Sequence, residues 1–241
     1  MRVISIVVAT LLFCYIAVAA FFFRDSRNGS VCNDLVIVVK DSLDKHFITQ
    51  PELNTILKNA NLNPIGKQMD AIDTEAIEKE LRKNQMIASV EVFKTPSGII
   101  KLEVKQKMPI LRVIGTGANY YVDNQGSTMP VSSRYVAYVP VASGHVEKAL
   151  ATTDLYKFAL FLQDNEFWNN QIEQIYIHPN GEVVLIPRVG EHRILLGCFE
   201  GFREKLGNLQ LFYEQAIPKF GWEKYSVINL KYKDQIICTN K

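Results

Sequence analysis

Apolar residues form one uninterrupted block at the start of the chain and then break into short periodic runs. From Val3 to Phe23 the sequence reads VISIVVATLLFCYIAVAAFFF, without a charge. At ~1.5 Å per residue, a helix of that length is about 30 Å long, the thickness of a bilayer's hydrocarbon core. The block predicts a transmembrane helix over 3–23. Arg2 and Arg24 close it, with stems long enough to reach headgroups. The polar stretch 24–32 (RDSRNGSVC) reads as a short linker after it.

Beyond residue 32 the pattern becomes that of a folded α+β chain. Leu35 to Val39 is β-branched and apolar, as a strand requires. Thr49-Gln50-Pro51-Glu52 is a capping box, and Leu53, Ile56 and Leu57 continue it as an apolar helical stripe. Asp73 is a second N-cap, with Ile72 and Ile77 at staple positions and Leu81 on the same face as Ile77. Ser89–Lys94 and Ile100–Lys105 read as strands joined by a turn at Thr95–Gly98, and the second alternates cleanly. This first module has the order strand, helix, helix, strand, strand.

A second, strand-rich module follows. Asn119–Asp123 runs into a turn at Asn124–Gly126, and Thr153–Gln163 predicts a helix with Leu155, Phe158, Ala159 and Leu162 inward. Gln174–His178 and Glu182–Arg188 flank Pro179-Asn180-Gly181, a strong hairpin signal, and Arg193–Gly197 adds a third strand. Phe199, Phe202, Leu206, Leu209 and Tyr213 are spaced for a long helix despite Gly201 and Gly207. Ser226–Tyr232 and Gln235–Thr239, separated by Lys233-Asp234, read as the last two strands.

Composition narrows the function. The net charge is +2, and outside residues 1–24 acids and bases balance, which is not the footprint of a nucleic-acid binder. His46, His145, His178 and His192 are scattered and read as surface or turn residues. No serine sits in a G-x-S-x-G elbow, and Gly115-Thr116-Gly117 is too short for a phosphate loop. Glu75, Glu78 and Glu80 read as a solvated helix face. The cysteines at 14, 32, 198 and 238 show no zinc spacing; they read as small hydrophobes or one incidental bridge. Cys198, with no neighbouring arginine or lysine in sequence, reads as core. The expectation is a protein without catalytic residues, metal or cofactor.

Orientation does not follow from charge, because Arg2 and the terminal amine balance Arg24 and Arg27. Ala17-Val18-Ala19 also fits the cleavage site of a signal peptide. Both readings export the remaining chain. The anchor is favoured by Phe21, Phe22 and Phe23, which extend the block to spanning length.

The order of landmarks resembles the FtsQ/DivIB cell-division family, whose first module is a POTRA domain. His46-Phe47-Ile48-Thr49 and Ile72-Asp73 are similar to POTRA landmarks. Gln106-Lys107-Met108-Pro109-Ile110 resembles the junction to the family's β domain, with Met108 where a base is common. Tyr121-Val122-Asp123 with Gly126, and Tyr138–Gly144, resemble the opening segments of that domain. Val227-Ile228-Asn229-Leu230-Lys231-Tyr232 resembles its terminal Asp-Leu-Arg-Tyr strand, with Asn229 and Lys231 replacing aspartate and arginine.

The resemblance implies a cytoplasmic head at 1–2, the transmembrane helix at 3–23, a linker at 24–32, a POTRA domain at 33–108 and a mixed, mostly antiparallel β domain with helices at 109–241. It implies a type II protein of the inner membrane, with its domains in the periplasm at the septum. Its role would be a non-enzymatic scaffold that binds FtsB-like and FtsL-like coiled-coil proteins and helps control septal peptidoglycan synthesis. Other divisome components would meet the POTRA domain. The partner site would comprise Lys231, Tyr232, Ile236, Ile237 and Thr239, at a last strand open to strand addition. From sequence alone that strand also reads as an ordinary edge, kept from pairing by Lys233 and Lys241. The contrasting expectations are an exported cell-wall enzyme or binding protein released after Ala19, and an outer-membrane assembly POTRA protein, which would need further repeats.

Overall fold

The alternating run after Thr95–Gly98 becomes the middle of a three-stranded sheet. A computed structural model describes residues 12–19, 30–40, 47–115 and 117–241. The head at 1–2, Arg24, Arg27 and His46 lie outside the described residues, as does most of the expected membrane helix. Residues 12–19 are helical, and among the described residues no helix is long and apolar enough to cross a membrane. The chain divides into two compact units, Met1–Gln106 and Lys107–Lys241.

In the first unit the elements are β1 (Asp34–Lys40), α1 (Gln50–Asn59), α2 (Thr74–Leu81), β2 (Ile87–Lys94) and β3 (Ile99–Gln106). The sheet order is β1-β3-β2, with β1 parallel and β2 antiparallel to β3. Ile100, Leu102 and Val104 of β3 are wholly buried against Leu53, Leu57, Ile77 and Leu81 of the two helices. Burial of each such side chain contributes about 1.5–3 kcal/mol. Both predicted helix starts carry caps. Thr49 N donates to the Glu52 carboxylate at 2.9 Å, and Asp73 accepts from Ala76 N at 2.9 Å. The buried Gln106 closes the unit, its side-chain oxygen accepting from Ile48 N at 3.0 Å.

The second unit is built on one mixed sheet. Its elements are β4 (Pro109–Gly115), β5 (Ala118–Asp123), β6 (Thr128–Pro130), β7 (Val141–Gly144), α3 (Lys148–Ala151), α4 (Asp154–Asp164), α5 (Glu166–Gln171), β8 (Ile172–Ile177), β9 (Val183–Pro187), β10 (Arg193–Gly197), α6 (Phe202–Phe220), β11 (Tyr225–Asn229) and β12 (Ile237–Asn240). The strand order is β12-β11-β10-β9-β8-β7-β4-β5-β6. The pairs β4–β7, β7–β8 and β10–β11 are parallel and the others antiparallel. Parallel neighbours need long crossovers. Here α3, α4 and α5 connect β7 to β8, and α6 connects β10 to β11.

These crossover helices supply the core. Leu155, Phe158, Ala159 and Leu162 are all buried, as their spacing predicts. Phe158 meets Phe202 edge-on at 5.1 Å, and Trp168 and Tyr213 complete the layer over the sheet. Phe199 precedes α6, because the chain passes through a left-handed Gly201 (φ 65°) before the helix starts. Asp123 is buried and closes the first turn: it accepts from Gln125 N (2.9 Å) and Ser127 N (2.8 Å) and pairs with Lys107 at 3.2 Å. Gly144 ends β7 with φ +87°, and a Cβ there would lie 2.2 Å from the Ile177 carbonyl oxygen. Strand β11 stops at Asn229, short of the predicted Tyr232. The Asn229 side chain accepts from Lys231 N at 3.0 Å and turns the chain away.

Candidate functional site

The last strand of the chain is the outer strand of the large sheet. β12 pairs antiparallel with β11, with Ile237 opposite Asn229, Cys238 opposite Ile228 and Thr239 opposite Val227. Side chains alternate across a strand. Cys238 accordingly packs on the core, and burial raises its thiol above the ordinary value. Ile237 (46% exposed) and Thr239 face outward. Ile236, just before the strand, also turns toward the core. The far edge of β12 has no neighbouring strand among the described residues.

The carboxyl-terminal end of β12 is held by side chains. The Ser226 hydroxyl lies 3.2 Å from the carbonyl oxygens of both Thr239 and Asn240, its one proton shared between them. Lys241 Nζ sits between Glu191 (2.7 Å) and Glu223 (2.8 Å), which together raise its pKa. In the loop leading into the strand, Lys231 Nζ pairs with Glu182 at 2.9 Å. That hydrogen bond raises the lysine and lowers the carboxyl, so the pair is charged at neutral pH. The lysine stem lies on Gly197, where a Cβ would come within 2.8 Å of its Cγ. Tyr232 stands free of this packing at 54% exposure. A groove of about 360 Å³ separates the loop from the start of α6, lined by Glu200, Glu204, Lys205, Lys231, Tyr232 and Ile236 among others.

Of the five residues expected at the partner site, Ile237 and Thr239 therefore share one face of the edge strand, and Lys231 and Tyr232 occupy the adjoining loop. Ile236 backs them. Sequence reasoning missed Glu182, which lies 49 positions before the lysine that it orients.

Two sequence expectations are corrected here. Cys198 is exposed rather than core, and Lys205 Nζ comes within 3.7 Å of its Sγ while donating to the carbonyls of Leu196 and Cys198. The start of α6 folds back over the end of β10 and brings the lysine there. His192 is buried rather than at the surface, 2% exposed. It shares a hydrogen bond of 2.6 Å with the Tyr213 hydroxyl and stacks on Trp222.

Burial lowers the His192 pKa, partly offset by Glu223. The unfolded chain therefore takes up a proton near pH 6.5 that the folded chain resists, and stability falls as pH drops through that value. We expect the urea midpoint, followed by tryptophan fluorescence, to be lower at pH 5.5 than at 7.5. His192→Gln should flatten that difference.

The described histidines stand apart: His145 is exposed, His178 lies at the β8–β9 turn and His192 is sealed in the core. Among the described residues no group of His, Cys, Asp or Glu could hold a metal ion. What the site offers is an unpaired strand edge flanked by an exposed aromatic and a charge-paired lysine.

Residues 108–239 match the family described as FtsQ/DivIB, C-terminal related, and residues 30–105 match the one described as a POTRA-like domain. A curated relative, the cell division protein FtsQ of Rhodothermus marinus, is 24% identical over 184 residues, spanning 71% of this chain and 67% of that protein.

Proposed function

The chain belongs to the FtsQ/DivIB family, and on that premise we propose that it is a non-enzymatic scaffold of cell division. In this reading one helix over 3–23 anchors it in the inner membrane as a type II protein. The POTRA domain (33–108) and the β domain (109–241) stand in the periplasm at the septum. There the β domain takes FtsB-like and FtsL-like coiled-coil proteins and so helps control septal peptidoglycan synthesis. Other divisome components meet the POTRA domain.

The observation that carries this reading is the open outer edge of β12, with Ile237 and Tyr232 exposed beside it. An unpaired edge presents N–H and C=O groups in register for a visiting strand. Backbone bonds would supply affinity, and the outward side chains Ile237 and Thr239 specificity.

The test is fractionation followed by pull-down from solubilised membranes. The expected result is an intact chain in the membrane fraction that co-purifies small coiled-coil proteins of the division machinery. A soluble form beginning at Ala20, without such partners, would instead support a released periplasmic protein.

A further inference from the structure

In the first unit β2 is an outer strand, with β3 as its one neighbour in the sheet. An outer strand leaves backbone groups for a partner or for water. On β2 two of them are taken by side chains from the end of α2. Val92 N–H donates to the Glu78 carboxylate at 3.0 Å, and the Arg82 guanidinium donates to the Val90 carbonyl at 3.2 Å. Glu78 and Arg82 are themselves an ion pair at 2.7 Å, one helical turn apart.

The geometry is that of a missing strand. The C=O of residue 90 and the N–H of residue 92 flank Glu91. They are the two groups that one residue of an added parallel strand would engage, accepting from one and donating to the other. The carboxylate and the guanidinium supply the same acceptor and donor. The opposite outer strand, β1, is covered by separate side chains that do not form a pair: Gln50 Nε2 donates to the Ile37 carbonyl and the Asp34 carboxylate accepts from Leu35 N, each at 2.8 Å.

Glu91 indicates what the edge would accept. It is exposed and lies directly opposite Glu103, a like charge across the strands. Glu103 is compensated by Lys40 and by Lys101 (2.6 Å), which hold its carboxyl below the ordinary value. Glu91 has no ion-pair partner among the described residues. Phe93, two positions on and on the same face, is 44% exposed. A complementary strand would place a basic side chain opposite Glu91 and an apolar one beside Phe93.

We propose that the Glu78–Arg82 pair is a lock on the β2 edge, and that opening it admits an extended partner segment with a basic residue opposite Glu91. The lock sits in a different sheet from β12 and stands independently of the function proposed above.

The probe is a fluorescein-labelled extended peptide that carries one lysine and one valine at successive positions of the same strand face, titrated by anisotropy into the purified full chain in detergent. A peptide with glutamate for lysine is the control. We expect Glu78→Ala/Arg82→Ala to bind the lysine peptide at least tenfold more tightly than the unaltered chain. The glutamate peptide should gain nothing, and adding Glu91→Lys should abolish the gain. Should the double variant lose helicity by circular dichroism, Arg82→Met, which leaves Glu78 on Val92, should give an intermediate gain. A folded unlocked variant that binds no better than the unaltered chain, or a gain indifferent to Glu91→Lys, would overturn the lock.

Discussion

Gly144→Val should destabilise the second unit by about 3 kcal/mol or more. Two costs combine at this position. A φ of +87° disfavours any side chain, by about 1–2 kcal/mol. A Cβ would also lie 2.2 Å from the Ile177 carbonyl oxygen, which is backbone of the neighbouring strand and cannot rotate aside. Forced overpacking of this kind costs about 1–3 kcal/mol. The same carbonyl accepts from His145 N at 2.9 Å, so a shift of β8 would break the junction between β7 and the crossover helices. Both tryptophans, Trp168 and Trp222, lie in the second unit, so their fluorescence in urea reports on it. With a urea dependence of about 2 kcal/mol per molar, the midpoint should fall by roughly 1.5 M. Gly181→Ala is the control, because Gly181 also has a positive φ but nothing within 4 Å of its Cβ position. It should cost about 1–2 kcal/mol at most.

Much of this fold is written in local pattern. The Asp73 cap, the α4 stripe and the alternation of β3 each depend on spacing within a dozen residues, where the periods of helix and strand act directly. Strands β4 and β7 carry no such pattern. β4 starts at Pro109 and is apolar through most of its length rather than alternating, while β7 is a four-residue run after Pro140 set between two parallel neighbours. His192 and Cys198 went astray for a related reason. The residues that define their surroundings, Tyr213, Trp222 and Lys205, reach them only once α6 has folded back on the sheet. The candidate partner site is legible in sequence as a segment and not as an arrangement. Alternation along 236–239 separates inward from outward residues, but nothing local marks Glu182 as the group holding Lys231.

The second large effect is expected at β12 itself. Backbone groups of Ile237 and Thr239 face β11, so the amide that points to the open edge is that of Cys238. Cys238→Pro removes it, and proline is tolerated on an edge strand where the missing N–H faces solvent. Binding of an FtsB-like segment should be lost while the fold persists. Tyr232→Ala removes an exposed aromatic of the type enriched among interface hot spots, where truncation costs ~2 kcal/mol or more, about thirtyfold in affinity. Lys231→Ala should matter less and chiefly at low salt, because the lysine is exposed and already paired with Glu182.

The decisive measurement is a titration of the purified chain, unaltered and as the Cys238→Pro and Tyr232→Ala variants, with the periplasmic segment of an FtsB-like protein. Circular dichroism and thermal melting are recorded on the same samples. Strand addition at β12 predicts that the unaltered chain binds, that Tyr232→Ala binds about thirtyfold more weakly, and that Cys238→Pro does not bind, with all three folded alike. Full-strength binding by both variants would contradict it and place the interface elsewhere on the protein.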